Sequence, residues 1–313
     1  MRARQDLVDR LVYAAVRLYA TIAQMFPIHV NLRTARWLGF IWYRLMRRHR
    51  ERAKEHLRFA FGSTISARQA DRIARKSMEQ MAMMAVEVLF TPRLVNEWTW
   101  PRYIRLKDLR EALEILLDHR GAILLTGHYG NWELLGFTLA ALGFEMTAVM
   151  RPLDNPYLNE YLMVQRQKRG LQLLYKKGAT RSAEDILNDG GMLCFIADQN
   201  AGHKGLFVDF FGRPASTYKS IGLLAIRHQV PIIIGYARRT SRRFEYEIGV
   251  QRIIRPAEWQ GRDDELTWIT QEYTRAIEAF VREAPEQYLW IHRRWKSRPP
   301  NERAGADAAV RAG

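Results

Sequence analysis

An α/β fold, with a central and largely parallel sheet flanked by helices, is what the 313-residue sequence predicts. Two observations carry that reading. Short apolar runs bounded by turn residues recur at 122–126, 145–150, 192–197, 231–237 and 244–250. Between them lie helix-like stretches at 131–142, 156–169, 181–188 and 217–228, and a longer helix is expected over 263–283. Alternation of buried-type strands with helices implies crossover connections and a parallel sheet. The last two runs are joined by Arg238-Arg-Thr-Ser-Arg-Arg243, which reads as an antiparallel hairpin.

A third observation concerns charge. Forty-nine Lys and Arg stand against 33 Asp and Glu, for a net charge of +16, which implies an anionic partner. Residues 1–50 hold ten arginines against Asp6 and Asp9, leaving +8, half of the total. The same stretch is rich in Leu, Tyr, Ile, Phe and Trp. Basic residues interleaved with apolar ones suit a membrane surface, where rings sit at headgroup level and Arg meets phosphate. The expectation is an interfacial helix pair over roughly 7–25 and 31–50, with Arg44 to Arg50 on the cytoplasmic side. A single span over Leu11 to Leu32 is the alternative, though Arg17, Gln24, Pro27 and His29 interrupt it. A cleavable leader is not expected, because no small-residue cleavage site follows.

Residues 1–55 therefore read as membrane-associated helices, 56–297 as the main α/β domain and 298–313 as a disordered tail rich in Ala, Gly and Arg. Within the main domain, Ser66-Ala-Arg-Gln69 is a capping box opening a Met- and Ala-rich helix over 66–91, and 107–119 reads as another helix. The single cysteine, Cys194, lies in an apolar run and reads as a buried strand residue.

Ligands of α/β sheets collect at the carboxyl ends of strands. The loop after 122–126 is Gly127-His-Tyr-Gly-Asn-Trp-Glu133, in which Asn131 is a good N-cap. On one continuous helix, residues five apart point about 140° away from each other. With His128 displaced into the loop, its side chain and that of Glu133 can meet, so that the carboxylate fixes the imidazole tautomer. A His–carboxylate pair without a Ser or Cys nucleophile points to general-base activation of a hydroxyl. The competing reading is a capping histidine, with Glu133 complementing the helix dipole. Phosphate-binding glycine loops, nucleophile elbows and metal-binding His spacings do not occur, so no cofactor and no metal are expected. A nucleic-acid partner is not expected either, since no recognised binding motif occurs and the basic segment is so apolar.

Gly127-His-Tyr-Gly-Asn-Trp-Glu133 resembles the H-x-x-x-x-[DE] block of glycerolipid acyltransferases, and more narrowly the bacterial lipid A late acyltransferase family. Four further blocks resemble that family in order. They are Met150-Arg-Pro-Leu-Asp-Asn-Pro156, Ala197-Asp-Gln-Asn200, Phe210-Phe-Gly-Arg-Pro-Ala215 and Tyr288-Leu-Trp-Ile-His-Arg-Arg-Trp-Lys296. The resemblance implies a membrane-associated enzyme at the cytoplasmic face of an inner membrane. It would transfer a fatty acyl group from an acyl carrier protein thioester to a hydroxyl of a lipid A precursor, an anionic glycolipid. The alternative acceptor is another glycolipid or a lysophospholipid. His128 would be the base and Glu133 its orienting partner. Arg151 would stabilise the oxyanion or clamp an acceptor phosphate, or simply pair with Asp154 or Asp198. Asn131, Asp198, Gln199 and Arg213 are implied as substrate contacts, and Phe210 and Phe211 as walls of an acyl groove. Asp198 and Gln199 read equally as a structural turn, and the two phenylalanines equally as core.

Overall fold

The computed structural model describes residues 2–167, 170–175 and 182–299. Expectations for residues 168–169 and 181 and for the tail beyond Pro299 fall outside the described residues. The chain begins with three consecutive helices, α1 (Arg2–Gln24), α2 (Ile28–Leu45) and α3 (Arg47–Phe61), followed by the long α4 (Ala67–Leu94). Pro27 ends the first helical run, because it brings no backbone N–H and its own geometry is extended. The turn is held by Asn31, whose buried amide donates to the carbonyls of Ala23, Phe26 and Pro27 at 2.9–3.2 Å. Ser66 and Gln69 form the reciprocal capping box that opens α4.

The α/β part then runs β1 (Ile104–Lys107), α5 (Arg110–Leu117), β2 (Ala122–Thr126), α6 (Trp132–Ala141), β3 (Met146–Met150), α7 (Pro156–Gln167), β4 (Gln172–Tyr175), α8 (Ala183–Asn188) and β5 (Met192–Ile196). A small hairpin follows, β6 (Leu206–Asp209) and β7 (Pro214–Thr217). The chain closes with α9 (Ser220–His228), β8 (Ile232–Arg239), β9 (Tyr246–Ile254), a short α10 (Pro256–Trp259) and α11 (Glu265–Glu283). Seven strands form one mixed sheet in the order β1-β9-β8-β2-β5-β3-β4. All neighbouring pairs are parallel except β8 and β9, the antiparallel hairpin.

The short strands β1, β4, β6 and β7 were not legible as apolar runs. Each has four residues, and in β1 only Ile104 is buried, so the hydrophobic signal of a central strand is missing. No helix among the described residues is long and apolar enough to cross a membrane. The spanning alternative over Leu11 to Leu32 is thereby corrected, since the run is broken between α1 and α2.

The two faces of the sheet differ. Ile123, Leu125, Leu193, Ile232 and Ile234 alternate onto one face and pack with Ile221, Ala225, Ile269, Tyr273 and Ile277 of α9 and α11 in the main core. The opposite face, with Leu124, Cys194, Ala148 and Ile233 in register, looks toward α5 and α6.

One buried polar cluster ties α4 to the sheet. Glu87 is fully buried, and its carboxylate accepts from Arg239 Nη2 at 2.5 Å, Tyr246 Oη at 2.6 Å and Asn131 Nδ2 at 2.9 Å. Burial pushes the Tyr246 hydroxyl well above its ordinary pKa, and the Glu87 charge adds to that, so it stays a donor. Removing one partner of such a pair strands the other charge in low dielectric, at a cost of about 3–5 kcal/mol. Glu87→Gln is therefore expected to lower the melting temperature sharply in a thermal unfolding scan. Glu114→Gln, which breaks an exposed pair with Arg110, should change stability by less than about 0.5 kcal/mol.

Candidate active site

Strands β2 and β5 are neighbours and pair in register, Thr126 with Ile196. Each ends at the carboxyl edge of the sheet, and each is followed two residues later by a residue able to do chemistry. The loops emerge side by side, so His128 and Asp198 meet although 70 residues separate them. Asp198 accepts from the His128 backbone N–H at 2.9 Å and from its Nδ1 at 2.7 Å. An ionised carboxylate can only accept, so Nδ1 carries the proton and Nε2 presents its lone pair. The Gln199 side-chain amide donates to that Nε2 at 3.3 Å.

The loop is held from three sides. Gly130 adopts a positive φ of 57°, and a Cβ there would lie 1.8 Å from the Ala237 carbonyl, so the position requires glycine. Its N–H donates to Gln287 O, Asn131 N–H donates to Ala237 O, and Leu289 N–H donates to His128 O, each at 3.0 Å. The Asn131 Oδ1 caps α6 by accepting from Leu134 N–H at 2.9 Å. The buried Asp198 would be pushed up by desolvation, yet the charge and hydrogen bonds of His128 hold it below the usual carboxylate range. Burial likewise pushes His128 down, but the Asp198 charge and hydrogen bond, with a smaller contribution from Glu133, outweigh it and raise its pKa above 6.5.

Of the residues expected at the site, the structure brings together His128, Asp198 and Gln199. Glu133 does not hydrogen-bond His128. It forms a bidentate pair with Arg166 of α7, at 2.8 and 2.6 Å, so it influences His128 by charge alone. The reason is local: Glu133 sits in the first turn of α6, where its neighbour across the gap is α7. The orienting carboxylate is Asp198, on the adjacent strand end. Arg151 lies at the surface, its side chain 87% exposed, with Asp154 at 3.5 Å. Asn131 is wholly buried and spent on its cap and on Glu87, so it offers nothing to a ligand. Phe210 and Phe211 are buried among Phe61, Tyr288, Trp290 and Trp295, as core rather than as a groove wall. Arg213 lies 3.9 Å over the Phe59 ring.

Three residues have places at the site that the sequence did not assign to them. Arg166 gave no signal, since its pairing with Glu133 depends on where α7 crosses α6. The ring of His292 lies 6.3 Å from that of His128, near-parallel, and accepts from Asn200 N–H at 3.2 Å. Burial pushes it down to about 4, so it stays neutral. Arg294 is buried and donates to the carbonyls of Gln199 and Ser216, anchoring the turn that carries Asp198. Both lie in the segment 288–296, whose density of Trp, His and Arg was the available signal.

Beside the His–Asp pair lies an apolar cavity of about 150 Å³. Trp132, whose ring centroid is 4.9 Å from that of His128, lines it at one end together with Glu133 and Arg166. It continues between α6 and the sheet to Leu109, just before α5, and Leu116 of α5. Cys194 is on its wall, but burial pushes the thiol up to about 12, so it is not a thiolate nucleophile near neutral pH. Among the described residues no cluster of His, Cys, Asp or Glu is arranged to hold a metal ion.

A histidine with a fixed tautomer at the strand ends of an α/β sheet, beside a hydrocarbon-lined cavity, is an arrangement able to take up a proton next to an apolar ligand. The chain matches the bacterial lipid A biosynthesis acyltransferase family over residues 2–297 and belongs to it; it is an acyltransferase. It is 25% identical over 293 residues to a lipid A biosynthesis palmitoleoyltransferase of Escherichia coli K12, covering 91% of this chain and 90% of that protein. It is 24% identical over 280 residues to the lauroyltransferase of the same organism, covering 87% of each. A shorter likeness, 29% over 98 residues and 30% of this chain, is to a phosphatidylinositol mannoside acyltransferase of Mycobacterium tuberculosis H37Rv; the matched stretch covers 31% of that protein.

A histidine base works only when neutral; with His128 in that role, turnover should rise with pH through a pKa above 6.5. Asp198→Asn removes the charge that favours the imidazolium. The acid limb of the kcat/KM profile should then move to lower pH, with kcat down about 10²–10⁴-fold. Glu133→Gln should move the limb in the same direction but less.

Proposed function

We propose that this acyltransferase moves a fatty acyl group from an acyl carrier protein thioester directly onto a hydroxyl of a lipid A precursor. The observation that carries the proposal is His128 itself, held by Asp198 with its Nε2 lone pair, among the described residues, met only by the Gln199 amide. The acceptor hydroxyl takes the place of that amide and gives its proton to Nε2. Its oxygen forms the ester bond to the acyl carbon while the carbon–sulfur bond breaks. The proton then passes from His128 to the departing thiolate, which balances the step without an enzyme-bound intermediate. Asp198 stabilises the imidazolium in between. Trp132 and the apolar cavity receive the hydrocarbon chain. Arg151, which is exposed and has only the exposed Asp154 beside it, is available to an acceptor phosphate.

The N-terminal helices are the membrane-facing element of this reading. Leu7, Leu11, Leu18 and Ile22 of α1 and Trp37 and Leu45 of α2 are exposed, on helices that also carry Arg10, Arg17, Arg33 and Arg44. An apolar face beside arginines suits insertion into the headgroup region of an anionic leaflet, at the cytoplasmic side where the precursor is presented. The likeness to the mannoside acyltransferase makes a mannosylated phospholipid the second acceptor to try.

Two measurements test the proposal. Mass spectrometry of products from purified enzyme, acyl carrier protein thioesters and a tetra-acylated, Kdo-bearing precursor should find the acceptor heavier by one acyl group. His128→Ala should give no such product while remaining folded by circular dichroism; full activity in that variant would sink the mechanism. In sedimentation with phosphatidylglycerol vesicles, Leu11→Glu combined with Leu18→Glu should reduce the bound fraction at least fivefold at unchanged melting temperature. Undiminished binding would remove α1 from the membrane contact.

A further inference from the structure

Gly136 sits in the interior of α6, where glycine is the poorest helix former after proline. Elsewhere among the described residues a glycine is explained by lack of room or by a positive φ. A Cβ at Gly39 would lie 2.6 Å from the backbone of Glu79, and one at Gly190 would lie 2.0 Å from the carbonyl of His119. Neither that reason nor a positive φ applies at Gly136, because a Cβ there meets no atom within 4 Å. The open space is the apolar cavity, which Gly136 lines.

Its position along that cavity is defined by helix geometry. Residues three and four apart share a face, so Trp132, Gly136 and Leu139 form one stripe, and all three line the cavity. Trp132 is the member beside His128, so Gly136 stands one turn further in. Across from α6, the sheet presents Ala148 and Cys194 in register with Leu124, and Gly235 also lines the space. Small groups on the sheet and a missing side chain on α6 thus line the same cavity.

We infer that Gly136 is a specificity-determining residue for the acyl donor, the vacant side-chain position being the throat through which an unbranched hydrocarbon chain passes from His128 toward Leu116. The inference rests on the cavity being the acyl site, as proposed above. Any side chain larger than a methyl group at 136 would close the throat behind the first few carbons of the chain. Long acyl donors would then be excluded while the short ones still seat their thioester at His128.

The test uses the full chain with Gly136→Ala and Gly136→Leu. Gly136→Ala should raise the melting temperature by about 1–3 °C, since a better helix former is added into open space. Equilibrium binding of dodecanoate and butanoate, and transfer from acyl carrier protein thioesters of four to sixteen carbons, are then compared. In Gly136→Leu, dodecanoate binding should weaken at least tenfold, and kcat/KM for donors of twelve or more carbons should fall at least 100-fold. Donors of four carbons should lose less than about tenfold. A folded Gly136→Leu enzyme with the wild-type chain-length profile overturns the inference. If wild type transfers nothing, the acyl-carrier reading has failed, and dodecanoate binding decides Gly136 separately. Loss confined to Gly136→Leu supports the throat, and equal binding or no binding in both proteins refutes it.

Discussion

The loop that bears His128 has the shape it has because one buried carboxylate, Glu87, needs partners. Glu87 comes from α4, outside the sheet, and its oxygens are satisfied by Arg239 at the end of β8, Tyr246 at the start of β9 and Asn131 at the start of α6. A charge at that depth is tolerated only when every lone pair is engaged. Satisfying it brings a helix, two strands and the residue three positions after His128 to one point. Asn131, so held, caps α6 with its other side-chain atom, and the loop between β2 and α6 has no freedom left at its far end. The imidazole of His128 is therefore set by packing interactions well removed from any substrate.

From that anchor the site is assembled by register. Parallel neighbours β2 and β5 end level with each other, and two residues beyond each end stand His128 and the carboxylate that orients its imidazole. The opposite sheet face carries the apolar cavity under α6, and the cavity begins at Trp132, whose ring stands beside the imidazole. The His–Asp pair and the apolar cavity share one sheet, the pair at its carboxyl edge and the cavity on its face.

Much of this was legible in the sequence. The alternation of apolar runs and helices gave the sheet, the hairpin at 231–250 and the loop bearing His128, because central strands of a parallel sheet are apolar on both faces. The partner of His128 was less accessible. Glu133 is close in sequence, whereas Asp198 is close only after β2 and β5 pair, and strand order is not written in local pattern. Phe210 and Phe211 stood as either core or groove, since burial depends on what β6 and β7 fold against. Asn131 was recognised as a cap, but its second partner, Glu87, lies 44 residues away on another helix. Arg151 and Arg166 differ in the same way: one was suggested by its motif and lies at the surface, the other lies in an ordinary helix and meets Glu133.

The stitching of the loop to the segment 287–294 has a bearing on how the site comes apart. The Gln287 carbonyl accepts from Gly130, while Leu289 and Arg294 donate to the carbonyls of His128 and Gln199. One segment thus pins both strand-end loops. A local opening of it would free the loops of His128 and Asp198 together while the sheet beneath them stays paired.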